Sequence, residues 1–154
     1  MKNYPILILL LLLKNTIFAH CQIPCGIYND ALRIVEMKED FHTIKKSIIK
    51  IKELSKSSDG FSHNQLTRWV ITKDEHASNI QKIVSEYFLT QRIRETNPKY
   101  IEQTTLLQKL LVSAMKCKQN LNQDNVDKGL NIVASFSDVY FDSHGLEHLN
   151  KIEN

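Results

Sequence analysis

Glycine and proline are scarce in this chain, with four of the first and three of the second among 154 residues. A strand-rich fold needs such residues at its frequent turns, so their scarcity argues against one. No apolar run reaches the roughly 20 residues of a membrane-spanning helix; the longest, residues 6–13, stops at Lys14. Internal repeats and low-complexity tracts are missing too. An excess of one charge sign is also lacking, since the formal net charge is only +3. What is plentiful is Lys, Glu, Leu and Ile, a mixture that favours helices. The length is that of one domain able to bury a sizeable core.

The first nineteen residues have a layout of their own. Lys2 supplies a positive start, residues 6–13 a short apolar run, and residues 14–19 a more polar stretch ending in the small Ala19. That order is the layout of a secretory signal peptide. Cleavage after Ala19 is expected, giving an exported protein, periplasmic or secreted, with no stable membrane association. An uncleaved anchor would need a longer run, and acylation at Cys21 would need a small residue where His20 stands. Removal of Lys2 and Lys14 takes the formal charge to about +1. A nearly neutral body gives no reason to expect nucleic-acid binding.

The rest reads as all-α. Asn29 or Asp30 can cap a first helix, along which Ile34, Met37, Phe41, Ile44, Ile48, Ile51 and Leu54 recur at spacings of mostly three and four. Lys45, Lys46, Lys50 and Lys52 lie mostly off that stripe and form a solvated face. Residues 55–63 connect to a second helix over about residues 64–91, with Leu66, Trp69, Val70, Ala77, Ile80, Ile83, Val84, Tyr87 and Phe88 inward. Asn97-Pro98 interrupts the chain. A third helix follows to about Leu121, burying Ile101, Leu107, Leu110, Leu111, Ala114 and Cys117. A fourth carries Val126, Leu130, Val133, Phe136, Ser137 and Tyr140, and ends at Ser143-His144-Gly145 ahead of a short tail. The expected architecture is an up-down four-helix bundle.

The chemistry concentrates in His20-Cys21-Gln22-Ile23-Pro24-Cys25-Gly26-Ile27-Tyr28. Export would leave His20 with a free α-amine beside its imidazole. Pro24 fixes φ and Gly26 permits positive φ, so the segment can curl and bring the Cys21 and Cys25 sulfurs to one point. The amine, the next backbone nitrogen and the two thiolates make a planar set of two nitrogens and two sulfurs. That geometry suits Ni(II) or Cu(II), whereas zinc prefers a tetrahedron. On spacing alone an oxidising compartment favours a Cys21–Cys25 disulfide over the metal site, unless a tightly bound metal protects the two thiols.

The pattern His-Cys-x-x-Pro-Cys-Gly-x-Tyr behind a cleavage site resembles the hook of the nickel superoxide dismutases. The likeness continues through Thr67-Arg68 and Ser85-Glu86-Tyr87-Phe88, and beyond Phe88 rests on the helical layout. It implies one nickel ion per chain, held by the amine and imidazole of His20, the backbone nitrogen and thiolate of Cys21, and the thiolate of Cys25. It implies that Tyr28 and Tyr87 line the mouth of the site and that Glu36 orients the His20 imidazole. The expected reaction converts superoxide to oxygen and peroxide while the metal alternates between Ni(II) and Ni(III). A homohexamer is implied as well. Two positions depart from the family pattern: Gln22 stands where Asp is common, and His76 stands where an arginine usually helps hold the imidazole. The resulting organisation is a signal peptide over residues 1–19, a hook over 20–28 and a helical bundle over 29–154.

Competing readings belong to other classes. A nickel- or copper-binding protein with the same hook would show no turnover. A helical bundle with a Cys21–Cys25 disulfide would hold no metal. A copper histidine brace would need a second histidine at His20, with His76 the candidate. Cys117 reads as a small buried hydrophobe, and His42, His63, His144 and His148 as surface or loop residues.

Overall fold

A computed structural model describes residues 28–153, so the expected signal peptide and the metal-binding residues His20, Cys21 and Cys25 lie outside the described residues. Within them the fold is all-helical: α1 (Asp30–Leu54), α2 (Gly60–Lys82), a π-helical continuation of α2 (Ile83–Arg92), α3 (Tyr100–Gln119), α4 (Asp124–Tyr140) and α5 (Ser143–Glu153). No described helix is long and apolar enough to cross a membrane.

Helix α1 starts where a side chain can satisfy its first amides. Asn29 caps it, its Oδ1 accepting from Leu32 N at 3.0 Å. The stripe from Ile34 to Ile51 is buried as expected, joined by Ala31, and only Leu54 at the end is half-exposed. Helix α2 begins at Gly60, four residues before the expected start, because Asp59 caps it by accepting from Ser62 N at 3.0 Å.

The helices alternate in direction. Asp40 meets His76 and Asn29 meets Tyr87, so α1 and α2 run antiparallel. Lys73, buried on α2, donates at 2.8 Å to the carbonyls of Cys117 and Lys118 near the end of α3. Those carbonyls have no partner inside their own helix, so one ammonium both satisfies them and ties α2 to α3. Ser113 on α3 bonds Asn125 on α4, and Lys99 reaches Val139. Lys45 on α1 bonds Asp127 on α4, and Tyr140 bonds Asp30. This up-down order is compatible with the expected four-helix bundle.

Gly129 explains how closely α4 approaches α1. A Cβ there would lie 2.3 Å from the Phe41 ring, which is itself fully buried. The core runs from this contact through Ile44, Ile80, Val84, Phe88, Leu107, Leu110, Val133 and Phe136.

Three expectations about burial need correction. Leu66 and Trp69 are half-buried and Val70 is exposed. The end of α3 bonds Lys73, so the earlier turns of α2 extend past it; there Lys46 of α1 covers the Trp69 ring at 5.9 Å. Ile101, expected inside, is 73% exposed in the first turn of α3, and Gln103 is buried in that turn instead. The expected tail is a fifth helix. Asp142 Oδ1 accepts from Gly145 N at 2.8 Å at its start, Leu149 is buried in the core, and Lys38 on α1 pairs with Glu153 near its end.

Candidate functional site

Tyr28 directly precedes the cap of α1 and is 40% exposed. Its ring packs edge-on against Tyr87, with centroids 6.2 Å apart. The guanidinium of Arg92 lies 4.2 Å from the Tyr28 ring centroid, and that of Arg33 lies 5.5 Å from the Tyr87 centroid. The two expected site tyrosines are thus in contact, each faced by an arginine.

Tyr87 is fully buried. Its hydroxyl donates to Asp30 Oδ1 at 2.6 Å and accepts from Asn29 N at 2.9 Å. The other Asp30 oxygen accepts from Arg92 Nη2 at 2.6 Å, from Arg92 Nε at 3.1 Å and from the Tyr140 hydroxyl at 2.7 Å. Burial alone would raise the Asp30 pKa, but the bonds from Arg92, Tyr87 and Tyr140 outweigh it and hold the carboxyl below its ordinary value. Burial, and then Asp30 itself, push both Tyr87 and Tyr140 well above the usual phenol range. At neutral pH the carboxylate is therefore the acceptor and both phenols are the donors.

Glu36 and His76 line the same side of the α1–α2 pair. Glu36 is paired with Arg33, one turn back on α1, at 2.5 Å. His76 Nδ1 lies 2.6 Å from Asp40 Oδ1, while Asn79 donates to Asp40 Oδ2 at 2.8 Å. Burial raises the Asp40 pKa, against the opposing bonds from His76 and Asn79. Glu36 and Asn79 line both of two adjoining grooves, one reaching Arg33, Lys82 and Tyr87, the other reaching Asp40, His42 and His76. Tyr87, Glu36 and His76 therefore border these adjoining grooves, and Tyr28 is linked to them through its ring contact with Tyr87. Glu36 and His76 share a groove but each is held by its own partner.

Sequence reasoning missed Asp30, Arg33, Asp40, Arg92 and Tyr140. Asp30 read as a second candidate cap, and Tyr140 as core. Arg92 fell just beyond the expected end of its helix.

Among the described residues no group of three His, Cys, Asp or Glu side chains could hold a metal ion. Cys117 is buried with its thiol pushed up to about 11, which keeps it protonated. The amine, imidazole and thiolates of His20, Cys21 and Cys25 are the donors whose chemistry fits nickel. Arg33 Nε is buried and has no hydrogen-bond partner among the described residues, a state that costs a donor about 1–3 kcal/mol.

Neither a curated protein nor a solved structure matches the chain. A family model does, over residues 15–144, and its description is nickel-containing superoxide dismutase. That span takes in residues 20–28, Tyr87, Glu36 and His76, and by it the chain belongs to the nickel-containing superoxide dismutase family.

Proposed function

We propose that this superoxide dismutase works at a hook made by His20, Cys21 and Cys25, seated beside Tyr28 and Tyr87 at the start of α1. Two superoxide anions and two protons give dioxygen and hydrogen peroxide. Nickel, when bound, supplies the one-electron exchange in both directions between Ni(II) and Ni(III). The chain's residues do the rest. The amine and imidazole of His20, the backbone nitrogen and thiolate of Cys21 and the thiolate of Cys25 hold the ion, each deprotonated to do so. Glu36, braced by Arg33, orients the imidazole. His76, braced by Asp40, stands where it can add a second hydrogen bond.

The tyrosines divide the work at the mouth. The Tyr87 hydroxyl is spent on Asp30 and Asn29, so it serves as a fixed wall. Tyr28 is exposed and keeps its hydroxyl for water or an incoming small anion. The observation that carries this reading is the contact of Tyr28 with Tyr87, which joins the end of the hook motif to the helical segment bearing the family's second tyrosine.

The mature form follows from the need for a free amine at His20. Cleavage after Ala19 would leave the hook over residues 20–28 and a helical body over 29–154, four bundled helices and the short α5, in an exported protein. A homohexamer with hooks at subunit contacts is the assembly proposed by family likeness. The test is intact mass and metal analysis of the secreted protein. One nickel per chain on a product beginning at His20 is the expected result, and a zinc-loaded or metal-free product overturns it. Cys25→Ser should abolish both nickel retention and dismutation. Retained nickel without turnover would instead mark a metal-binding protein.

A further inference from the structure

Arg92 has no part in the scheme above, yet it touches Tyr28 more closely than any other described cation does. We propose that Arg92 is a positioning residue for Tyr28, delivered by the π-helical segment and locked in place by Asp30. The inference rests on the reading that Tyr28 borders the metal site.

Helix geometry comes first. At 3.6 residues per turn, residues five apart point about 140° away from each other. Between Ile83 and Arg92 the helix is wound wider, with bonds between residues five apart; Ile93 N reaches Phe88 O at 2.9 Å, and the Thr90 hydroxyl reaches Ser85 O at 2.6 Å. Wider winding brings Tyr87 and Arg92, five apart, toward one side. Both then reach Asp30, one to each carboxylate oxygen.

The guanidinium suits the position because its edge and its face act at once. Nε and Nη2 donate to Asp30, while the guanidinium carbon lies over the Tyr28 ring, 4.2 Å from its centroid, a distance at which the planar group can stack. Tyr140 fixes Asp30 from α4, so the stack on Tyr28 is anchored to three parts of the fold. Without it, Tyr28 would keep only its edge contact with Tyr87. Lysine could preserve the ion pair to Asp30 but has no flat face to stack.

Two readouts on the mature chain test this. In the metal-free protein, NMR should find the Arg92 side-chain resonances displaced by the Tyr28 ring, and Tyr28→Leu should move them toward ordinary arginine values. On nickel loading, Arg92→Lys should weaken nickel affinity roughly tenfold, the low end for groups that support metal ligands. The same replacement in a Tyr28→Leu background should add nothing, since its effect passes through that ring. Arg92→Leu should behave likewise, and Arg92→Lys covers the case in which the leucine variant fails to fold. Resonances indifferent to Tyr28→Leu, or an equal loss of affinity in both backgrounds, overturn the proposal. If the unaltered chain binds no nickel, the hook reading fails by itself, and the resonance shift alone decides whether Arg92 fixes Tyr28.

Discussion

At Asp30 hydrogen bonds from the π-helical segment and from α4 converge on one carboxylate. Its folded-state pKa is lowered, so the stabilisation it brings is complete above the unfolded value near 3.8 and drains away as pH falls through the folded one. Asp40 acts in the opposite sense, its folded pKa being raised. The difference between parent and variant is therefore more telling than either acid profile. Asp30→Asn should lower stability by about 2 kcal/mol at neutral pH and lose less on acidification than the parent, as read by urea unfolding at about pH 7 and about pH 3. Equal acid losses in both proteins would contradict this. Tyr28, Glu36, His76 and Tyr87 were singled out in the sequence by their match to a family pattern, and the fold adds which partners hold them. Asp30 was not, since an aspartate beside an asparagine at a helix start reads as a cap, and only the fold shows which of the two caps. Arg33 and Asp40 are ordinary charges on a helix until their partners on the surface are known.

The elements were legible to different degrees, each for a physical reason. Helix α1 stands where its apolar stripe puts it, because burial and 3.6-residue periodicity agree along its length. The overhang of α2 was hidden, since an apolar residue advertises burial whether or not a neighbouring helix reaches it. The π-helical turns were hidden as well, because Val84, Tyr87, Phe88 and Gln91 have spacings that an α-helix would also bury. Helix α5 carried a faint signal in Leu146, Leu149 and Ile152, three apart behind Asp142. Contact between α1 and α4 is set by Gly129. Replacing it with alanine places a methyl group 2.3 Å from a ring that is buried all round. Gly129→Ala should cost about 1–3 kcal/mol through overpacking, despite alanine's better helix propensity. Chemical denaturation checks it, and paired replacement with Phe41→Leu should recover part of the loss.

At the scale of the whole molecule, the described core follows the proposed metal ligands in the sequence. Among the described residues the apolar cluster is assembled from residues 31–149, which close a continuous core among themselves. Stripping nickel with a chelator should therefore leave the far-ultraviolet circular dichroism unchanged and the unfolding cooperative, with the midpoint lowered only by the loss of bound ligand. Collapse of helicity on chelation would show that the metal is part of the fold. The two ends of the body are built unequally. Around Asp30 the π-helical turns and α4 brace α1, and α5 reaches it at Lys38, whereas residues 52–61 are exposed but for the half-buried Leu54. Breathing motions thus begin at the remote tip, where amide protons exchange soonest and a nick severs least. Hydrogen exchange should therefore reach the 55–59 turn first and the amides around Asp30 last.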